Sequence, residues 1–154
     1  SKIFSVGYML ILPCYFQGIV NGLKLVITAH LCCGEILALM FIVTHINEAC
    51  EFLDETHRKK ESNNWAEMQV RTSINWSLDS FFWTHFSGGL NHQIEHHLFP
   101  GICHCNYPYI QPIVKKTCLE YNIPYRELPS LLSAIKGMVN HLYEMGNKVN
   151  SKHD

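Results

Sequence analysis

The sequence has few charges and almost no net charge. Of its 154 residues 16% are charged, and the formal net charge is -1. Nothing here indicates a nucleic-acid partner, because such proteins carry clustered basic surface. A disulfide framework is also not indicated, since the 7 cysteines are odd in number and include no C-x-x-C pair. We interpret them as reduced thiols or apolar filler, which fits a protein whose soluble part faces the cytosol.

Charge is scarcest in the first 45 positions, where apolar residues concentrate. Within Leu23–Val43, "LKLVITAHLCCGEILALMFIV", the only ionisable residues are Lys24, His30 and Glu35. Its length matches the roughly 20 residues that a spanning helix needs. The pattern predicts a transmembrane helix. The alternative is a buried helical hairpin in a soluble protein, but core helices are rarely apolar on every side over such a length.

A second apolar run precedes this helix. Ile3–Phe16 is too short to span a membrane and is interrupted by Pro13. No Met, basic segment or cleavage site precedes it, so it does not resemble a signal peptide. We expect the chain to begin inside a helix, with "QGIVNG" at residues 17–22 as the tight connection between two antiparallel spans.

No run of spanning length follows Ile46, so residues 46–154 are expected on one side of the bilayer. The basic stretch "HRKK" at 57–60 makes that side cytosolic by the positive-inside rule. The predicted fold is an all-α integral membrane protein. A transmembrane helical hairpin (residues 1–45, the last two spans, the first one truncated) precedes a helical cytosolic cap (residues 46–154) that carries a histidine-box metal site.

Several elements are predicted within residues 46–154. Residues 61–80 are polar and are interpreted as a loop with a short strand or turn. The aromatic stretch "FFWTHF" at 81–86 fits either the headgroup level of a membrane or a core-packing cluster. One helix is expected from Pro108 until Asn122 and Pro124 stop it. Another is expected from Pro129 until Gly146, and both should pack on the histidine-rich part as a cap.

The chemistry-bearing stretch is "GGLNHQIEHHLFPG", residues 88–101, called the histidine segment below. If residues 90–98 are helical, Gln93, His96 and His97 stand at i, i+3 and i+4 and share a face. His96 and His97 differ by about 100° around the helix axis, which suits two neighbouring ions better than one. Imidazole with oxygen co-ligands suits iron, zinc, copper or nickel, and no cysteine close by indicates a thiolate zinc site.

His45, at the cytosolic end of the predicted span, can reach the same place. Gly88, Gly89 and Pro100 bracket the segment and would hold it tightly. Even with His45, the chain offers too few ligands for two ions, so the rest must come from sequence outside it. The alternative is a surface helix whose histidines bond to water or to Glu95.

The stretch "GGLNHQIEHHLFP" resembles the third histidine box of membrane fatty-acyl desaturases, in the front-end class where the box reads Q-x-x-H-H. The resemblance continues through "MQVRTSINW", "CHCNYPYIQPIV" and "YNIPY" and covers nearly the whole chain. It implies that His96 and His97 bind one iron each and that His45 is a third ligand. Gln93 would be a weak ligand, a water-mediated one or a supporting donor.

Other polar residues receive lesser roles by the same resemblance. Asn91 and Glu95 could orient the ligand imidazoles, although a solvent-facing Glu95 is an equal alternative. His104 is the best remaining candidate for a supporting hydrogen bond. His92 is not expected to be an essential ligand, because family members often carry an aromatic residue there. His30, His57 and His85 are assigned to structure, packing or solvent.

The resemblance also implies an activity and a setting. Members use two non-haem iron ions, O2 and electrons from cytochrome b5 and its reductase to place a cis double bond between an existing one and the carboxyl end. The acyl substrate is carried by CoA or by phospholipid. The setting is the endoplasmic reticulum membrane, multi-pass, with the box on the cytosolic side.

The first two histidine boxes, H-x-x-x-H and H-x-x-H-H, are absent from this sequence. We therefore expect an inactive C-terminal portion of such an enzyme. Two other readings stay open: a fatty acid or sterol hydroxylase, which shares the diiron scaffold, and a non-catalytic metal-binding membrane module.

Overall fold

The structure is a computed structural model that describes residues 2–52 and 64–150. It is mostly helical and divides into two compact units, residues 1–39 and residues 40–154, each described by itself below. The basic stretch at 57–60, on which the predicted membrane orientation depends, lies outside the described residues.

The first unit contains helix α1, Lys2–Gln17, and most of helix α2, Ile19–His45. The predicted connection at 17–22 is wrong in extent, because a single residue, Gly18, separates the helices. It adopts a φ of 76°, which glycine tolerates without cost. The two helices touch at Gly22, where an added Cβ would lie 2.4 Å from the Cα of Cys14. Pro13 is accommodated within α1.

Within the described residues, α2 is the one helix long and apolar enough to cross a membrane, judged by length and composition. Only 11% of its most apolar stretch is buried. The described chain therefore leaves most of this apolar surface uncovered, unlike the surface of a helix in a packed core. The helix starts at Ile19, earlier than Leu23, and continues through Asn21 and Gly22, which a helix tolerates at a small cost.

The second unit begins with the last turns of α2 and consists of short elements. In chain order these are α3 (Trp65–Arg71), β1 (Asn75–Trp76), α4 (Phe81–Phe86), a 3-10 turn (Leu90–His92), α5 (Gln93–Leu98), a 3-10 turn (His104–Asn106), α6 (Tyr107–Glu120), β2 (Glu127–Leu128) and α7 (Leu131–Asn150).

Helix α3 corrects the interpretation of residues 61–80 as loop. Asn64 caps it by accepting a hydrogen bond from the Glu67 N–H, and a Glu67–Arg71 ion pair lies along it at i, i+4. A short strand does follow, as expected. β1 pairs in parallel with β2, with Asn75 opposite Glu127 and Trp76 opposite Leu128. The all-α description therefore needs this one small sheet added.

The two predicted C-terminal helices are confirmed, with shifted boundaries. α6 begins one residue before Pro108 and ends at Glu120. α7 begins after Ser130, which exchanges reciprocal hydrogen bonds with Ser133 in a capping box. Gly146 does not end α7, which continues to Asn150, because a helical glycine costs only about 1 kcal/mol relative to alanine.

Helix α4 exposes most of its aromatic surface. Phe81 is 78%, Phe82 59% and Phe86 53% exposed, while Trp83 packs edge-on against the buried Trp76. The stretch thus combines both expectations, a core contact through one ring and an exposed aromatic face.

The core lies between α3, α5 and α6. Val70, Ile94, Val114 and Cys118 are buried together, and Leu98, Ile123 and Tyr125 pack around them. Because Ile94 is the central apolar residue of α5, this packing fixes how the helix is rotated and therefore where its histidines lie.

Candidate metal centre

Helix α5 is held at its start by a side chain from β1. The Ile94 N–H donates to Oδ1 of Asn75 over 2.9 Å, which satisfies a backbone donor that the first turn leaves free. The Asn75 amide nitrogen donates to Oε2 of Glu95 at 2.8 Å and contacts the Tyr125 hydroxyl at 2.6 Å. The β1–β2 pair thus brings the chain around Tyr125 next to the histidine segment.

Glu95 does not face solvent, so that alternative is wrong. Its side chain is fully buried, and the Tyr125 hydroxyl donates to Oε1 over 2.8 Å. Burial raises the pKa of Glu95, because a desolvated carboxylate is disfavoured. Glu95 anchors the buried side of α5 and leaves the opposite side to the histidines.

The turn before α5 requires glycine. Gly88 and Gly89 have φ values of 63° and 84°. A Cβ on Gly89 would lie 2.5 Å from the Cβ of His104 and 2.9 Å from the Tyr107 ring. The backbone of the histidine segment and the start of α6 are therefore in direct contact, and no larger residue fits between them.

Three of the predicted residues converge. The amide nitrogen of Gln93 lies 2.8 Å from Nε2 of His97 and 3.0 Å from Nε2 of His45. The two imidazole rings are edge-on, with centroids 4.9 Å apart. Gln93 and His97 belong to one face of α5, whereas His45 is the last residue of α2, so residues far apart in sequence meet at one point.

In both His45 and His97 the Nδ1 atom, which lies on the far side of the ring from Gln93, contacts an oxygen atom. Nδ1 of His97 lies 2.6 Å from Oε1 of Gln69 on α3. Nδ1 of His45 lies 3.3 Å from the carbonyl oxygen of Thr72. Because both oxygens are acceptors, each Nδ1 carries the proton and each Nε2 presents a lone pair inward. Metal-binding histidines are commonly supported in this way.

The protonation state of His97 also suits a ligand. Burial, followed by the neighbouring His45 and His96, lowers the pKa of His97 to about 4. A neutral ring is the form that binds metals.

His96 points to a different place. Its ring is nearly perpendicular to that of His97, with centroids 5.9 Å apart. Nδ1 of His96 lies 3.1 Å from the hydroxyl of the buried Tyr107. His96 and His97 therefore point in different directions, as expected for adjacent residues of a helix, and their rings do not aim at one point.

The donor set fits a transition-metal ion. Gln93 is 1% exposed, and its Oε1 has no hydrogen-bond partner among residues 2–52 and 64–150. An unpartnered buried oxygen is costly. If the Gln93 amide turned over, Oε1 would face the two Nε2 lone pairs, and an ion held by the three atoms would satisfy it. Among residues 2–52 and 64–150, three His, Cys, Asp or Glu ligand atoms come within 4.8 Å of one another at His85, His104 and Cys105, and no such third ligand joins His45 and His97.

Two expected supporting residues lie elsewhere. Asn91 is buried, but its amide donates to Thr84 Oγ1 and to the Ser77 carbonyl, so it stabilises the turn before α5 and does not orient an imidazole. His104 lies beside His85 and Cys105 instead of the box histidines. The sequence placed both residues near the box, but the turn at Gly88–Gly89 directs them away from it.

His92 is buried, and neither ring nitrogen has a hydrogen-bond partner in the described part of the chain. It lies on the side of the segment that carries Glu95, with Nδ1 3.8 Å from Oε2 of that carboxyl. Burial lowers the pKa of His92 to about 4. The structure does not bring it to His45 and His97.

Sequence reasoning missed four supporting residues: Gln69, Thr72 and Tyr107, which contact the imidazoles, and Asn75, which holds the start of α5. Three of them lie in the stretch "MQVRTSINW", which carried part of the resemblance but received no role. The available signal was that these polar residues are mixed with apolar ones, which a loop exposed on the surface would not have needed.

The fold and site define a helical protein with a candidate histidine metal site and, within the described residues, one helix long and apolar enough to cross a membrane. The model of the fatty acid desaturase family matches residues 2–129. This chain belongs to that family.

Individual proteins with similar sequences are also named as desaturases. An acyl-lipid (8-3)-desaturase of Physcomitrium patens is 43% identical over 149 residues, which are 95% of this chain and 31% of the relative. A Delta(5) fatty acid desaturase of Dictyostelium discoideum is 36% identical over 96% of this chain and 32% of its own length. An sn-1 linoleoyl-lipid 6-desaturase of Synechocystis is 38% identical over 73% of this chain and 32% of its own length. The chain spans about a third of these relatives. No solved structure matches it.

Proposed function

We propose that this chain is the C-terminal part of a front-end fatty acyl desaturase and contributes His45, His96 and His97 as ligands of a two-iron centre. The observation that carries the proposal is the convergence of the Nε2 lone pairs of His45 and His97 on the Gln93 amide, each ring held from behind by an oxygen acceptor.

The iron ions would supply the activation of O2 that removal of hydrogen from an unactivated acyl chain requires. The residues of this chain would hold the iron ions and orient the imidazoles that bind them. Gln69 and the Thr72 carbonyl fix the protons of two rings on Nδ1, and Tyr107 fixes the ring of His96. Gln93 directs its amide nitrogen toward the Nε2 atoms of both rings, and turning the amide over by about 180° would bring Oε1 there as the candidate oxygen donor.

Three histidines are too few for two ions of four to six ligands each. The remaining ligands would come from the other two histidine boxes of the family, in the two-thirds of the relatives that this chain does not span. We therefore expect the isolated chain to be inactive.

The setting follows from the same reasoning. Helices α1 and α2 form the last two membrane segments (residues 1–45), and residues 46–154 form the cytosolic region at an endoplasmic reticulum membrane. The exposed aromatic face of α4 supports contact with the headgroup layer. Cytochrome b5 and its reductase deliver the electrons. Because the names of several relatives specify acyl-lipid or linoleoyl-lipid, we favour a lipid-linked acyl chain over acyl-CoA.

The test is product analysis in yeast. The full-length protein that contains this chain is expressed in cells fed polyunsaturated acids, and total fatty acids are analysed with the double-bond positions mapped. We expect a new cis double bond on the carboxyl side of an existing one, which disappears in His96→Ala and His97→Ala. His92→Phe is the matched control in the same segment and should keep the product.

Three results would contradict the proposal. A hydroxylated product would favour a hydroxylase, and product that survives both histidine substitutions would exclude the box as the metal site. Loss of product in His92→Phe at normal protein levels would mean that the wrong side of α5 has been assigned.

A further inference from the structure

A second group of metal-binding side chains lies outside the candidate iron centre. Sγ of Cys105 is 3.7 Å from Nε2 of His104 and 3.9 Å from Nε2 of His85. All three ligand atoms lie within 4.8 Å of one another. Because His85 belongs to α4 and the other two belong to the turn before α6, the group joins two separate elements.

The imidazoles of this group are already oriented. Nδ1 of His85 donates to the carbonyl oxygen of Phe81 over 3.0 Å, so its Nε2 carries the lone pair that faces Cys105. The His85 ring also packs on the ring of Phe81, with centroids 4.0 Å apart. His104 is fixed by its backbone, since its Cβ sits directly over Gly89. A backbone acceptor on the far nitrogen is the usual support of a metal-binding histidine.

The spacing of the atoms fits zinc. With Zn–S near 2.3 Å and Zn–N near 2.0–2.1 Å, a tetrahedral site separates sulfur and nitrogen by about 3.5 Å. The two sulfur–nitrogen distances exceed this by only a few tenths of an ångström.

A fourth ligand is available two residues away in the chain. Cys103 is exposed and free, as is Cys105. Its Sγ is not one of the three atoms that lie within 4.8 Å of one another, so the Cys103 side chain would have to turn toward the ion. Two thiols and two imidazoles are the ligand set of many structural zinc sites.

We propose that His85, Cys103, His104 and Cys105, called the Cys/His cluster below, bind one structural zinc ion. This ion is distinct from the proposed iron centre, whose candidate ligands in this chain include no cysteine. Zinc at this position joins α4 to the start of α6. Tyr107 lies two residues beyond Cys105 and bonds to His96, so the ion would also restrict the ring of that histidine. This last consequence rests on the proposed function, whereas zinc binding does not.

Cobalt substitution tests the proposal, because a thiolate bound to Co2+ gives a near-ultraviolet charge-transfer absorption that imidazole ligands do not give. The full-length protein is stripped with chelator, reduced and titrated with Co2+. We expect the thiolate absorption in the wild type, its loss in Cys105→Ser and a weaker band in Cys103→Ser. Cys33→Ser, an exposed cysteine of α2, is the matched control and should leave the band unchanged.

Zinc affinity gives the second readout. Loss of a direct ligand should weaken competitive zinc binding by at least about 100-fold, the upper end of the effect of losing a supporting contact. His85→Gln serves where Cys105→Ser fails to fold, because the His85 side chain is exposed. In the wild type, zinc should protect Cys103 and Cys105 from alkylation, and in His85→Gln this protection should be lost.

The zinc proposal and the iron proposal can each be contradicted without the other. In a His96→Ala/His97→Ala variant the thiolate band should persist while desaturation is lost. A band that is absent in the wild type, or unchanged in Cys105→Ser, would overturn the zinc site and leave the iron proposal standing. Equal alkylation of Cys103 and Cys105 with and without zinc would do the same.

Discussion

The contact between Gln69 and His97 allows a sharp test of how the candidate iron centre is held. Oε1 of Gln69 accepts from the His97 Nδ1–H over 2.6 Å, and the site is partly buried. In Gln69→Leu the imidazole N–H loses its acceptor while the side-chain volume is kept. A buried donor without a partner costs about 1–3 kcal/mol. The ring is also free to turn, so that Nε2 no longer faces His45.

The expected loss of iron affinity in Gln69→Leu follows from these energies. At about 1.4 kcal/mol for each factor of ten, the loss corresponds to roughly 5-fold to 150-fold weaker iron binding. This agrees with the 10–100-fold (roughly) that loss of a supporting hydrogen bond costs other metal sites. Because Gln69 acts through its contact with His97, product yield should fall with iron content while substrate preference stays unchanged.

The assay is iron titration of full-length protein, with double-bond formation in yeast as a second readout. Gln69→Glu is the matched control, since a carboxylate oxygen can still accept from Nδ1–H and makes the ring more basic. It should retain at least wild-type affinity. Wild-type iron affinity in Gln69→Leu, at equal thermal stability, would refute the argument that this contact positions a ligand.

Three further substitutions test the scaffold. His92→Phe removes two buried, unpartnered ring nitrogens and should stabilise the protein by about 1–3 kcal/mol in thermal unfolding, and lower stability would contradict this. Because burial lowers the pKa of His92 from 6.5 to about 4, the unfolded state takes up a proton first and stability falls as pH drops from 6.5 toward 4; His92→Phe should remove that part of the fall. Asn75→Ala breaks the hydrogen bonds at the start of α5 and should lower the free energy of unfolding by about 2–4 kcal/mol, measured with denaturant. A loss below about 1 kcal/mol would mean that α5 is held by packing alone. Gly89→Ala should destabilise more than Gly88→Ala, since both have positive φ but only Gly89 lies against His104, and equal melting temperatures would refute that contact.

The sequence predicted the elements whose signals are local. The long apolar helix α2, the helices α6 and α7, and the shared face of Gln93 and His97 all follow from apolar periodicity, proline positions and helical spacing. The meeting of His45 with the histidine segment was also predicted, because His45 ends the apolar helix and no second apolar run of spanning length follows it in the sequence.

The remaining features depend on contacts between distant residues. Helix α3 was missed because its short apolar pattern is weak, and its start depends on the Asn64 cap. The support of His97 by Gln69 requires α3 and α5 to pack around Val70 and Ile94, which no local pattern reveals. The burial of Glu95 likewise depends on the β1–β2 pair, which brings Tyr125 to α5.

The most direct test of the central claim is the iron content of the full-length protein in wild type and His45→Ala, measured by mass spectrometry of metals and by Mössbauer spectroscopy. His45 is the decisive residue, because it lies outside the histidine segment and joins the centre only through the fold. The account predicts two iron ions per chain in the wild type, fewer in His45→Ala and two in His92→Phe. Two iron ions with an unchanged spectrum in His45→Ala would contradict it.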